Sequence, residues 1–204
     1  AFYRVLVERN VFQILAEQHG PTRTVMQRLQ PGLWASVVRQ YVDAHPPTHW
    51  HPSYVGAGLS EFLAECREAG DQRIDPLFEE VADFCWVRML AQRCPDGVGD
   101  GFEQRLFIRQ YTRPIAPLVA AITEDPNAPI PPPQPVVVFI YRHWRDLDVR
   151  VFSPSAAGLV ALARRQGATV PEALQAVPPE DVEAADTLLV EHGVLVPADA
   201  SSPG

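Results

Sequence analysis

The stretch DPNAPIPPPQP at residues 125–135 divides this sequence into two parts of different character. Six of its eleven residues are proline, which has no backbone N–H and a fixed φ, so the stretch can form neither a helix interior nor a central strand. It is typical of a semi-rigid polyproline II spacer. Apolar residues at helical spacing precede it, and the β-branched run VVVFIY at 136–141 follows it. The chain is therefore expected to form two modules.

The first module is predicted to be helical. Apolar residues recur at helical spacing in five segments, which we place at 2–18, 22–29, 31–44, from Leu59 to about Cys66, and from Asp75–Pro76 to about Arg93. The pair Asp75–Pro76 is a strong start signal, because aspartate caps a helix and proline suits its first position. Residues 102–124 are ambiguous in the sequence. The segment LFIRQY is a candidate for an extended arm, and PIAPLVAAI is a candidate for a short helix.

The second module is predicted to combine strands with helices. We expect strands at 136–141 and 149–152, three helices, and a short last strand at Val194–Val196. The helices are placed from a Ser153–Pro154 cap to about Gln166, at 170–176 behind a capping box of Thr169 and Glu172, and from about 179 to 192 with Gly193 as the stop. The predicted fold is thus α+β, with a helical domain at 1–125, a linker at 126–135, a small mixed domain at 136–197 and a tail at 198–204.

Composition limits the function classes. The formal net charge of the 204 residues is −8, which disfavours a nucleic acid as the main partner because phosphate contacts need basic surface. All seventeen basic residues are arginine, whose planar fork suits carboxylates and peptide carbonyls. No stretch is long and apolar enough for a membrane span. The three cysteines show no CxxC spacing, so we expect a cytoplasmic protein with reduced thiols.

No catalytic constellation is visible in the sequence. It contains no G-x-S-x-G, no P-loop and no G-x-G-x-x-G. A cysteine-dependent enzyme stays open as an alternative, in which Cys66 or Cys94 would pair with one of the histidines at 45, 49 and 51, since such partners meet only in space. The absence of a motif favours a binding or adaptor protein that is not itself an enzyme.

Three histidines crowd into one proline-punctuated loop. His45, His49 and His51 flank Trp50 within seven residues. Imidazoles two residues apart on an extended segment can share a metal, although no Asp, Glu or Cys lies within the cluster to complete a ligand set. The alternative is a loop whose histidines cap and pack. A metal-responsive or DNA-associated regulator that uses this loop is therefore the second functional hypothesis.

The predicted hairpin offers a possible binding edge. Two strands packed on helices leave at least one edge open, and such an edge can bind an extended peptide by strand addition. Arg142, Arg145 and Arg150 lie on or beside the hairpin, where they would either engage an acidic peptide or only keep the edge soluble.

The second module resembles the small winged-helix-like domains of the PqqD type, which recognise leader peptides in the biosynthesis of ribosomally made natural products. The residues that carry this resemblance are VRVFSPSAAGLVALARRQGATVPEALQAV at 149–177 and PEDVEAADTLLVEHGVLV at 179–196. They share the order of a strand, a Ser-Pro-capped helix, a G-x-T-x-x-E-A segment and a helix that ends in x-x-G-x-L. The resemblance covers about a third of the chain.

The first module has a likeness of its own. The stretch WASVVRQYVDAHPPTHWHPSYVGAGLSEFL at 34–63 is similar to the Trp…Tyr…His-Pro-Pro…Gly…Phe-Leu pattern of the helical partner proteins of multinuclear-iron TIM-barrel enzymes. The matching positions are Trp34, Tyr41, His45, Pro46, Pro47, Gly58, Phe62 and Leu63. The family is that of the partner subunits in methanobactin and 3-thiaglutamate biosynthesis.

These resemblances imply a non-catalytic subunit of a heterodimer. The partner enzyme would hold the iron and oxidatively modify a cysteine of a precursor peptide, and this chain would bind no metal or other cofactor. The implied peptide-binding residues are Val137, Phe139, Tyr141, Arg142, Arg150 and Phe152. The implied enzyme-docking residues are His45, His49, Trp50, His51 and Tyr54.

Overall fold

The computed structural model describes residues 2–46, 51–94 and 104–197. This part of the chain contains eight α-helices and a three-stranded sheet, so the α+β class is confirmed. The helices are α1 (Phe2–Gln18), α2 (Gly20–Leu29), α3 (Leu33–Ala44), α4 (Leu59–Glu68), α5 (Pro76–Gln92), α6 (Ile115–Glu124), α7 (Ala156–Arg165) and α8 (Pro179–Glu191). The strands are β1 (Leu106–Tyr111), β2 (Val136–Arg142) and β3 (Val149–Phe152). Within the described ranges, no helix combines the length and the apolar character that a membrane crossing requires.

Two compact units share the chain, and each is made of two segments. Unit 1 consists of residues 1–89 and 111–135, and unit 2 consists of residues 90–110 and 136–204. The predicted boundary at residue 136 coincides with one of the crossings between them. Residues 90–110 were expected in the first module and belong to unit 2 instead, because they include most of β1, which pairs with β2.

Unit 1 is built from helices whose apolar faces form its core. Fully buried side chains come from five of its helices, among them Leu15, Met26, Leu59, Leu63, Phe78 and Ile115. The start of α5 agrees with the sequence signal, since Asp75 Oδ1 accepts a hydrogen bond from the Leu77 N–H at 2.8 Å and Pro76 is the first helical residue.

The proline-rich segment forms no helix or strand, as predicted, and it packs along unit 1. Ala128 is buried, and its carbonyl accepts a hydrogen bond from Arg28 Nη1 at 2.5 Å. Arg113 Nη1 donates to Pro131 O, and the Gln134 N–H donates to Thr112 O, both at 2.8 Å. Proline carbonyls remain good acceptors even though proline cannot donate, so such a segment can be tied down through its oxygens.

The sheet of unit 2 has the order β1-β2-β3. Antiparallel pairing of β2 with β3 sets Phe139 opposite Phe152 and Tyr141 opposite Arg150. On one side of the sheet, Phe139 and Tyr141 join a core cluster with α7 and α8 that includes Leu162 and Leu189. Val138 and Ile140, which alternate with them on β2, are buried as well. Burial on both faces explains why VVVFIY reads as a continuous apolar run.

Several local predictions for unit 2 need correction. Ser155 caps α7 by accepting the Gly158 N–H at 3.2 Å, so the cap lies two residues beyond the predicted Ser153. The helix predicted at 170–176 is a single 3₁₀ turn at Glu172–Leu174, without a side-chain cap. Residues 194–196 form no strand, because Val194 and Leu195 turn into the core after α8.

The predicted stop at Gly193 is confirmed. Its φ is +73°, and the N–H groups of Gly193 and Val194 donate to Val190 O and Leu189 O. This pair of hydrogen bonds is the Schellman motif at the end of a helix, in which glycine adopts the left-handed conformation at little cost.

Candidate functional site

Strand β3 forms one edge of the sheet. The His143 N–H donates to Asp148 O at 2.8 Å, and hydrogen-bonded pairs alternate with non-bonded pairs along an antiparallel ladder. The pairs Tyr141/Arg150 and Phe139/Phe152 are therefore the bonded ones. The backbone groups of Val149 and Val151 consequently face away from β2. Such outward N–H and C=O groups are the ones that an added strand would use.

A polar cluster in the turn fixes the start of β3. The Asp146 carboxylate lies 3.0 Å from His143 Nδ1 and forms an ion pair with Arg150. The Leu147 N–H donates to His143 O at 3.0 Å, and Leu147 has a φ of +64°, in the left-handed region that branched residues rarely adopt. Together these contacts hold the connection between β2 and β3 in one conformation.

The end of α8 packs directly on this hairpin. Tyr141 OH donates to His192 O at 2.9 Å, and the Phe152 and His192 rings lie 5.2 Å apart. Gly193 lies so close to His143 that a Cβ on Gly193 would come within 2.0 Å of His143 Cδ2. Since both strands of the hairpin contact the same helix end, the position of the β3 edge depends on α8.

An apolar groove in unit 2 is lined by residues that follow β3 in sequence. It has a volume of about 590 Å³ and runs between the start of α7, the 3₁₀ turn and α8. Its lining is mainly aliphatic, with Ala156, Val177, Pro178 and Leu188 among the contributors. Leu188 is 48% exposed, so part of the apolar lining is accessible. The groove can accept apolar side chains of a bound segment.

The sequence-predicted peptide residues fall into two groups. Phe139 and Tyr141 are fully or almost fully buried on the central strand, and Arg142 donates to the carbonyls of Cys94 and Leu147. These three are structural, because their side chains are enclosed by or bonded to unit 2. Val137, Arg150 and Phe152 are partly exposed. Of these, Arg150 and Phe152 belong to the edge strand itself.

A second candidate region is the loop at residues 51–58, here named the anchored loop. Tyr41 OH donates to Val55 O at 2.8 Å and accepts the Gly58 N–H at 3.2 Å. His19 Nε2 lies 3.2 Å from Gly56 O, and Gln18 Nε2 donates to Pro52 O at 3.4 Å. Side chains from α1, α3 and the α1–α2 junction thus fix the loop backbone through four of its residues.

The anchored loop presents aromatic surface. Tyr54 is 42% exposed, and its ring packs against His51 and Trp86 at centroid distances of 6.4 and 6.1 Å. His45 stacks on Tyr41 at 5.0 Å and meets Phe62 edge-on at 5.7 Å. His49 and Trp50 lie outside the described residues. The structure therefore assigns packing contacts to the predicted docking residues that it describes, and it leaves Tyr54 accessible.

Among the described residues, the structure shows neither a metal site nor an activated cysteine. Within residues 2–46, 51–94 and 104–197, no group of three or more His, Cys, Asp or Glu side chains is arranged to hold a metal ion. His49 lies outside these ranges, so the histidine-loop metal site stays a prediction. Burial raises the pKa of the Cys66 and Cys94 thiols and raises that of Cys85 to about 12. A raised pKa lowers the thiolate fraction at neutral pH, which is the opposite of activation.

Two buried residues that organise these regions were missed in the sequence. His19 is fully buried, and burial lowers its pKa to about 4, so it holds the anchored loop as a neutral imidazole. Arg105 is 5% exposed and donates to Arg142 O at 2.6 Å and to Val194 O at 3.3 Å. The only local signal for a buried His19 was its position directly before the Gly20–Pro21 break. No neighbouring residue distinguishes Arg105 from an exposed arginine.

Comparison of the chain with protein-family models gives no match, and comparison with curated proteins gives none either. A function is therefore inferred from the chain's own residues and fold.

Proposed function

We propose that this protein is a non-catalytic partner subunit that binds a ribosomally made precursor peptide and presents one of its cysteines to a separate multinuclear-iron enzyme. In this proposal unit 1 is the helical docking domain, and unit 2 is a winged-helix-like domain that recognises the leader part of the peptide. The iron and its ligands belong to the TIM-barrel partner, so this chain contributes binding and orientation.

The observation that carries the proposal is the outward-facing backbone of β3 at the sheet edge. An extended peptide that pairs with Val149 and Val151 gains main-chain hydrogen bonds that do not depend on its sequence. The order of three strands followed by α7, a 3₁₀ turn and α8 is compatible with a winged helix, in which such an edge lies beside the last helix.

Specificity would come from the surfaces next to the edge. Phe152 and His192 form a partly exposed aromatic pair, and the groove of about 590 Å³ is lined by residues that follow β3 in sequence, beginning with Ser155. A peptide that continues past the C-terminal end of β3 would place apolar side chains against Leu188 and Val177. This division between backbone pairing and side-chain pockets is the usual one for strand addition.

Docking of the enzyme is assigned to the anchored loop. Its backbone is held by Gln18, His19 and Tyr41, while Tyr54 remains exposed. A rigid loop that carries an accessible aromatic residue loses little conformational entropy on binding, and aromatic residues are enriched among the residues that dominate protein interfaces. Binding both partners would raise the effective concentration of the peptide cysteine at the iron site.

The peptide arm is tested with Val151→Pro. Proline removes an N–H that faces away from β2, so the hairpin should persist while an added strand loses a donor. The matched control is Ile108→Pro on β1, because Ile108 is also exposed and lies on the opposite edge of the sheet. By calorimetry, we expect the cysteine-containing peptide encoded beside this chain to bind the wild type and Ile108→Pro at least tenfold more tightly than Val151→Pro. Equal affinity of both proline variants would overturn strand addition at β3.

The enzyme arm is tested by co-expression with the TIM-barrel protein encoded beside this chain. We expect a one-to-one complex that retains iron, weakened by Tyr54→Ala and unaffected by Leu29→Ala, a second exposed apolar residue of unit 1. The absence of a complex, with stoichiometric metal on this chain alone that is lost in a His49→Ala/His51→Ala variant, would instead favour the metal-responsive regulator.

A further inference from the structure

Three helices of unit 1 surround an open pocket that neither of the sites above uses. The pocket has a volume of about 600 Å³, within the usual range for ligand sites. Arg9 from α1, Arg23 from α2 and Arg39 from α3 line it, and all three are exposed. Residues distant in sequence thus place three guanidinium groups around one opening.

The charge of this region is opposite to that of the whole chain. Three arginines and no Asp or Glu are found among the described residues that line the pocket, whereas the chain as a whole carries −8. A local reversal of charge raises the local concentration of anions and steers them to the opening.

The three guanidinium groups have no anionic partner among the described residues. Other arginines of the protein do: Arg67 pairs with Glu79, Arg73 with Asp71, and Arg165 with Asp186. Arginine that the chain leaves unpaired at a concave surface keeps its planar fork available for a carboxylate of another molecule.

An unsatisfied donor lies beside these cations. Trp34 lines the same pocket and is 2% exposed, and its Nε1 has no hydrogen-bond partner within the described part of the chain. Buried indole N–H groups normally find an acceptor, so an oxygen bound beside Trp34 Nε1 would satisfy this donor. Phe12 adds aromatic surface to the lining, so the pocket combines cationic and apolar character.

We propose that this pocket binds an acidic peptide segment that carries an apolar side chain between its carboxylates. Guanidinium groups on three separate helices can serve several carboxylates at once, which a peptide supplies along its length. Phe12, which is partly exposed, receives the apolar side chain, and Trp34 Nε1 is the donor beside it. The exposed positions of the arginines let the bound chain continue beyond the pocket. This site is independent of the proposed function, since it uses no residue of β3 or of the anchored loop.

The experiment is a titration of the full chain with the pentapeptide EEFEE by calorimetry, with QQFQQ as the uncharged control. We expect saturable binding of EEFEE, at least tenfold weaker binding of QQFQQ, and weakening of EEFEE binding between 50 and 500 mM salt. Arg23→Gln and Arg39→Gln should each weaken EEFEE binding about fivefold or more, and Trp34→Phe should weaken it while keeping the aromatic surface.

Matched controls separate this site from general charge and from the β3 edge. Arg164→Gln removes an equally exposed arginine on α7, and Val151→Pro disrupts the proposed strand addition; both should bind EEFEE like the wild type. Equal binding of QQFQQ, no saturable binding of EEFEE, or equal loss in Arg164→Gln would overturn the proposal. Glutarate that binds as tightly as EEFEE would assign the pocket to a free dicarboxylate and overturn the peptide assignment.

Discussion

His19 and Gly56 are in contact across 37 residues of sequence, with His19 Nε2 3.2 Å from the Gly56 carbonyl oxygen. A carbonyl only accepts, so Nε2 carries the proton and the neutral imidazole is the donor. A Cβ on Gly56 would lie 2.5 Å from His19 Nε2. The conformation of the anchored loop therefore depends both on a neutral histidine and on the absence of a side chain opposite it.

The free energy of unfolding should fall in acid because of His19. Burial lowers the pKa of His19 from 6.5 to about 4 in the folded state, so between these values the unfolded chain binds a proton that the folded chain excludes. The stability contributed by the neutral imidazole is full above pH 6.5 and is lost as the pH falls towards 4. The loss amounts to about 3 kcal/mol.

Urea unfolding of the wild type and of His19→Gln between pH 7 and pH 4 measures this effect. Glutamine retains an amide donor for Gly56 O but does not titrate. The free energy of unfolding should therefore fall less steeply with acid in His19→Gln, and the difference between the two slopes removes the contribution of carboxylates. Parallel curves for the two proteins would contradict a buried neutral His19.

Gly56→Ala should destabilise unit 1. The new methyl group would contact His19 and Gln18 at 2.5 and 2.6 Å, and His19 is fully buried and cannot move aside freely. Overpacking of this kind costs about 1–3 kcal/mol. Gly20→Ala is the control, since a Cβ at Gly20 meets nothing within 4 Å and alanine favours the start of α2. A cost in chemical denaturation that is equal for both variants would argue against the close contact.

Gly193→Ala should lower the free energy of unfolding much more than Gly167→Ala. Both glycines follow a helix end with positive φ, +73° and +64°, so alanine introduces backbone strain of about 1 kcal/mol at either position. Only at Gly193 would the Cβ collide with another residue, 2.0 Å from His143 Cδ2. We expect a total loss of about 2–5 kcal/mol for Gly193→Ala, measured as the shift of the urea midpoint. Similar midpoints for the two variants would show that the hairpin does not pack on the end of α8 in this way.

Arg105→Met should destabilise unit 2. Methionine keeps most of the side-chain stem but removes the donors for Arg142 O and Val194 O. Leaving buried carbonyls without these bonds costs on the order of 2 kcal/mol. Arg164→Met at an exposed position of α7 is the control and should stay within about 0.5 kcal/mol of the wild type. The free energy of unfolding of Arg105→Lys should lie between those of Arg105→Met and Arg164→Met, because an ammonium group lacks the fork that reaches both carbonyls.

Local signals in the sequence predicted many of the element positions. The Asp75–Pro76 start, the Gly193 stop and the apolar run at 136–141 each act through neighbouring residues, and α5, the end of α8 and β2 agree with them. The same reasoning failed at Thr169–Glu172 and at Val194–Val196, where capping and β-branching favoured regular structure. There, packing of residues 194 and 195 into the core took precedence over local preference.

The candidate sites depended much more on long-range contacts. The sequence identified the hairpin edge and assigned peptide contacts to Phe139 and Tyr141, but it could not show that β2 is the central strand and that α7 and α8 cover these two side chains. The sequence of the predicted spacer at 126–135 likewise gave no sign that Arg28 and Arg113 donate hydrogen bonds to its carbonyls.

The sequence alone determined the α+β class, most helix and strand positions and the exclusive use of arginine, because these follow from composition and from interactions between near neighbours. Only the tertiary structure decided which strands form the edges of the sheet, which histidine is buried and neutral, and which arginines meet around a pocket. These properties require residues such as 19 and 56, 105 and 194, or 9, 23 and 39 to come together, and no local preference encodes that approach.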